Sequence, residues 1–178
     1  MAGIGLSGPG IKGKGSMAQS PLYQATVPVF RHYLGQATLM VEKAGPVAMT
    51  ARVADAFPAE QQFSTAAGFA LRIACPLAGR EVPNLPRALA PRLAVARATL
   101  GAMRAEEFLG AEDRRYQHRA GMAELDQSAA EFLYLFGLPN FFFHLSMAYA
   151  ALRAGGAALG KADFDGFHAY PVDFSLDP

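Results

Sequence analysis

Apolar residues recur every three or four positions in four stretches of the chain, a spacing that predicts four amphipathic helices. From Thr26 to Lys43 the recurring positions are Val27, Phe30, Leu34, Ala37 and Val41, and Gly45-Pro46 ends the run. The second stretch starts near Pro58, which suits a first turn because its missing N–H has no helical partner there. Glu60 complements the positive end of that helix. Its apolar face is Phe63, Ala66, Ala67, Ala70, Leu71 and Ala74, closed by Gly79. Pro83, Pro86 and Pro91 punctuate the way to a third helix, roughly Ala88 to Met103, with Leu93, Ala96, Leu100 and Met103 on one face. The fourth runs from near Ser128 to about Arg153 and is closed by Gly155-Gly156. Pro139 lies inside it, where a proline removes one backbone bond and kinks the helix.

Between the third and fourth helices, Arg104 to Asp126 reads as a polar connection, with no alternating strand of useful length. The segment from Lys161 to Pro178 has little pattern, and no internal repeat is visible. Residues 1–16 are glycine-rich and aperiodic, which reads as a disordered extension or a vector-derived leader. Their glycines do not make a phosphate loop, because no strand precedes them and no helix follows at the right place. The expected organisation is a leader over 1–16, a helical bundle domain over 17–166 and a tail over 167–178. Four amphipathic helices with modest loops predict an all-α four-helix bundle.

Composition narrows the partners. The chain has 178 residues, enough for one domain that buries a core without metals or disulfides. Its net charge is +1 and its basic residues are scattered, so neither nucleic acid nor an anionic membrane is expected as a partner. Cys75 is the sole cysteine, which excludes an intramolecular disulfide. No signal-peptide pattern opens the chain. The most apolar stretch, Phe132 to Leu152, is interrupted by Gly137, Pro139, Asn140 and His144, short of the roughly 18 uninterrupted apolar residues that suggest a membrane span. A core helix and a cytoplasmic location are expected. Phe132, Tyr134, Phe136, Phe141, Phe142, Phe143 and Tyr149 surround too much of that helix for one core face, which points to a homodimer.

Candidate chemistry concentrates in Leu138-Pro139-Asn140-Phe141-Phe142-Phe143-His144. Asn140 and His144 are one helical turn apart and share a face. Two readings stand side by side. His144 could be a core histidine bonded to a neighbouring helix, with Asn140 satisfying backbone opened by Pro139. Alternatively, the two groups converge in a small ligand pocket. Cys75, without a neighbouring histidine or a second cysteine, reads as a small buried apolar residue rather than a nucleophile. Glu106-Glu107 and Glu112-Asp113 sit beside Arg104, Arg114 and Arg115 and read as a solvated, salt-bridged turn, with His118 exposed near them.

Leu138 to Lys161, with Leu-Pro-Asn-Phe-Phe-Phe-His, Ala148-Tyr149, Leu152-Arg153 and Leu159-Gly160-Lys161, resembles a bacterial family known only as a domain of unknown function. Tyr23 to Phe30, Asp55 to Pro58, Gln62 and Gly110 to Arg114 resemble it in the same order, so the likeness covers about Met17 to Gly166. That family is similar, more distantly, to the DinB/YfiT-like superfamily of four-helix bundles. The resemblance implies a divalent metal held by three histidines, one on the second helix and two on the last. His144 falls on the final histidine of that set. Asn140 stands where its partner would be, and Gln61, Gln62 and Thr65 occupy the second-helix region; His32, His118 and His168 match no motif position.

Amide oxygens bind borderline metals weakly, so a tight three-histidine site is not expected. The favoured reading is a small-ligand-binding or structural dimeric module with a degenerate metal site, its ligand residues Gln62, Asn140, His144 and Tyr149, and no cofactor. The alternative is a metal-dependent enzyme, a thiol-linked transferase or hydrolase. There His144 serves as a ligand for zinc, nickel, iron or manganese or as a general base, and Asn140 and Gln62 position water or substrate.

Overall fold

The computed structural model describes residues 20–171, so the leader over 1–16 and most of the tail after 166 lie outside the described residues. Helix α1 spans Pro21–Ala48, α2 Ala59–Leu77 and α3 Leu89–Gly101. A π-helical stretch, Glu131–Gly137, runs directly into α4, Leu138–Ala154, and α5 is a short helix over Lys161–Asp165. The helices form a bundle, with α2 packed against α1, α3 and α4.

Helix α1 begins five residues before the predicted start because Pro21 takes its first turn. The predicted stop is a bend: Gly45 has φ 73° and ψ 169°, and one further turn follows to Ala48. Phe30, Leu34, Ala37 and Met40 point from α1 into the core. Small residues dominate α2, and Ala66, Ala67, Ala70 and Ala74 are fully buried, which lets the neighbouring helices approach closely. The approach is close at Gly137, where an added Cβ would lie 2.9 Å from the Ile73 side chain on α2. Glycine there is a packing requirement.

The π-helical stretch ends two residues before Pro139. Leu138 N–H donates to the carbonyl of Leu133, five residues back, at the junction. A proline at 139 cannot donate, and its ring crowds the carbonyl four residues earlier, so a wider turn ahead of it relieves that conflict. The 24 residues from Glu131 to Ala154 are long and apolar enough to cross a membrane by length and composition. In the fold this is a bundle helix, with Phe132, Leu133, Phe141, Leu145, Ala148 and Leu152 in the core. Phe141 meets Phe30 of α1 with ring centroids 4.8 Å apart.

The expectation of a strandless polar connection is corrected by an antiparallel hairpin, β1 over Arg115–Ala120 and β2 over Ala123–Ser128. Gly121-Met122 forms its two-residue turn, with Gly121 at φ 60°, as a II′ hairpin turn requires at its first central position. Two short 3-10 turns, Ala105–Phe108 and Ala111–Asp113, lead into it. Arg80 clamps the first of these by donating from Nη2 to Glu107 Oε1 at 2.8 Å. The inward residues of β1 are Tyr116, buried, and His118 and Ala120, half-buried. With a tyrosine and a histidine in place of aliphatic residues, the hydropathy alternation is weak, which is why the strand is hard to see in the sequence.

Candidate functional site

Gln62 on α2 is almost fully buried, and its Oε1 accepts a hydrogen bond from His144 Nδ1–H at 2.7 Å. Donation from Nδ1 leaves the lone pair of the neutral ring on Nε2. Burial and, secondarily, the Arg72 guanidinium push the His144 pKa below its ordinary value, which favours that neutral form. The imidazole lies nearly parallel to the Phe69 ring, with centroids 5.4 Å apart. Asn140 turns back onto its own helix, where Nδ2 donates to the Phe136 carbonyl at 2.7 Å. Tyr149 packs edge-on against Phe164 of α5 and accepts from Arg153 at 3.5 Å. Of the four expected ligand residues, two are therefore paired with each other, and the other two are engaged elsewhere.

The Phe69 ring also lines a space where the hairpin stands off from α2 and the π-helical stretch. This space is a cavity of about 500 Å³. Such a volume lies within the range of small-molecule sites. Phe69, Ile73 and Pro76 of α2, Phe132 and Phe136 of the π-helical stretch and Tyr116 of β1 supply apolar walls. Arg72, Arg114, Arg115, Gln117, His118 and Arg119 supply the polar ones. Tyr116 and Phe132 stack in parallel 4.9 Å apart, and His118 lies 4.3 Å from the Phe136 ring. Tyr116 is held in place by its hydroxyl, which donates to the Ala111 carbonyl at 3.0 Å. The π-helical stretch thus contributes two of the cavity's rings.

The sequence reading missed this cavity because its residues come from three separated segments. The one local signal is Arg114-Arg115-Tyr116-Gln117-His118-Arg119, a concentration of cations and rings inside a segment whose polarity otherwise predicts a solvated loop. His118, expected to be exposed, is half-buried and donates from Nε2 to Gln127 Oε1 at 2.8 Å. Cys75 is buried, and burial pushes its thiol up to about 11, so it is not an activated nucleophile. Glu107 is ion-paired with Arg80, while Glu106, Glu112 and Asp113 are exposed. His32 bonds the Asp165 carbonyl at 2.6 Å, and His168 pairs with the Asp165 carboxylate.

The family model described as a domain of unknown function (DUF1993) matches residues 22–165. The chain belongs to the DUF1993 family. A crystal structure of a DinB family member protein from Shewanella denitrificans is similar to this DUF1993 chain with a TM-score of 0.72 and 24% identity. The match covers 86% of this chain and 96% of the other, and it shows a DinB-like helical bundle. The comparison with curated proteins found no match.

The three-histidine metal set implied by the DinB/YfiT likeness does not fit the residues of this DUF1993 chain. In the second-helix region of Gln61, Gln62 and Thr65, Gln62 offers an amide oxygen already engaged by His144, and Asn140 directs its amide to the backbone. Among the described residues, no group of three His, Cys, Asp or Glu side chains is arranged to hold a metal ion. One imidazole and two committed amides carry no negative charge to offset a divalent cation.

Proposed function

We propose that this DUF1993 chain is a small-ligand-binding module, homodimeric and cytoplasmic, that takes an organic molecule between the hairpin, α2 and the π-helical stretch. The observation that carries the reading is the cavity of about 500 Å³ with rings on three sides. A pocket of mainly apolar walls with a few convergent polar groups is the usual form of a small-molecule site. In this reading the Gln62–His144 pair is a support: it fixes the imidazole that stacks on Phe69, a ring of the cavity wall. Exposed Tyr134, Leu135 and Phe143 on the helix from 131 to 154 support association with a second copy.

Elemental analysis beside a ligand-induced thermal shift tests the proposal against the metal-dependent alternative. Protein purified without chelators or a histidine tag is incubated with zinc, nickel, iron or manganese salts, then desalted. The expected result is no stoichiometric metal, together with a saturable rise in Tm when a small aromatic molecule such as naphthalenemethanol is added. One equivalent of metal in the wild type, lost in His144→Ala, would replace the binding module with a metal-dependent enzyme as the working reading.

A further inference from the structure

We propose that the ligand class is an organic anion with a flat apolar body, an aromatic carboxylate, bound with its ring among Phe69, Phe132, Phe136 and Tyr116 and its charge toward Arg72 and Arg114. This rests on the ligand-binding reading above and specifies its chemistry. No aspartate or glutamate lines the cavity, whereas four arginines do. Arg115 is neutralised by Asp126, with Nε 3.0 Å from Oδ1. Arg119 stands opposite Glu124 in the hairpin register, on the exposed rim. The remaining two have no carboxylate partner among the described residues. Arg72 lies over the Phe69 ring, its guanidinium carbon 4.1 Å from the centroid. Arg114 donates from Nη2 to the Leu77 carbonyl at 2.6 Å, which anchors one edge of its guanidinium.

The neighbouring donor on that edge of Arg114 carries the sharper signal. The Arg114 Nε–H is buried and has no hydrogen-bond partner. A guanidinium N–H can only donate, and a buried donor without an acceptor is unfavourable, so an acceptor is the missing complement. A carboxylate oxygen satisfies it with a charge-assisted bond. His118 Nδ1 is the second buried polar atom without a partner, and it too belongs to a cavity residue. With Nε2–H donated to Gln127, that nitrogen is an acceptor in the neutral ring, suited to a ligand hydroxyl. A bare inorganic anion would leave the rings unused. A neutral aromatic molecule would leave the Arg114 guanidinium without a carboxylate.

The test compares three probes by calorimetry and amide-resolved NMR: naphthoate, neutral naphthalenemethanol and inorganic phosphate. Naphthoate is expected to bind roughly tenfold or more tightly than the alcohol, the size of one charge-assisted hydrogen bond, and to weaken as salt is raised. Arg114→Gln and Arg72→Gln should each weaken naphthoate more than the alcohol and so shrink that preference. Because Arg114 also supports the Leu77 carbonyl, a misfolded Arg114→Gln leaves the decision to Arg72→Gln, whose side chain is exposed. Equal binding of naphthoate and the alcohol in the cavity would overturn the anion while leaving the binding module standing. Phosphate binding as tightly as naphthoate would overturn the aromatic body. Binding of none of the three would overturn both the inference and the reading beneath it.

Discussion

His144 donates to a glutamine that has almost no contact with solvent, and that single bond ties the last long helix of the bundle to α2. Truncating His144→Ala leaves Gln62 Oε1 buried without its donor, so chemical denaturation should show a loss of about 1–3 kcal/mol. The same residue gives stability a pH dependence. Burial and Arg72 lower its pKa in the folded state from the ordinary 6.5, so the unfolded chain takes up the proton first. Its contribution is complete above about pH 6.5 and is lost as pH falls through the folded value. Urea unfolding followed between about pH 7.5 and 5 should therefore show stability falling toward acid, with a smaller fall in His144→Leu. An unchanged slope would place the titration elsewhere. The importance of Asn140 and His144 was legible from their one-turn spacing beside Pro139, but the direction of each side chain was not. Helical spacing puts two residues on one face without saying whether they turn to a ligand, a neighbouring helix or their own backbone.

Elements meet closely where the π-helical stretch crosses α2. The Ile73 side chain fills the space beside Gly137, so Gly137→Ala should force a shift and cost about 1–3 kcal/mol, as overpacking in a filled core does. Ile73→Ala, destabilising alone, should relieve part of that cost in the double variant, and the coupling read from the unfolding midpoints checks the contact. Additive losses would show that the two residues do not share the space. Four of the main helices were legible because Val27, Phe30 and Leu34, or Phe63, Ala66, Ala67 and Ala70, repeat at helical steps. The hairpin was not, since β1 alternates Tyr116 and His118 with Gln117 and Arg119 and reads as uniformly polar. Gly121-Met122 between Ala120 and Ala123 was the one local turn signal, and it is weak without aliphatic flanks.

The whole molecule is a DinB-like bundle whose helices and family likeness agree, so its architecture was largely readable from the chain. The cavity was not, because it exists only after α2, the hairpin and the π-helical stretch are brought together. Outside it, Leu135 is 72% exposed and Phe143 56% exposed, two turns apart on one helix. Sedimentation at micromolar concentrations should give a dimer that Leu135→Glu or Phe143→Glu converts to a monomer without loss of helicity. A wild-type monomer throughout that range would remove the dimer from the account. The small-molecule site under the hairpin is open to direct test by following backbone amides during titration with naphthalenemethanol. Saturable shifts confined to residues 69–73, 114–119 and 132–136 are the predicted result. Shifts that never saturate, or that gather around residues 62 and 144 with the hairpin unmoved, would contradict it.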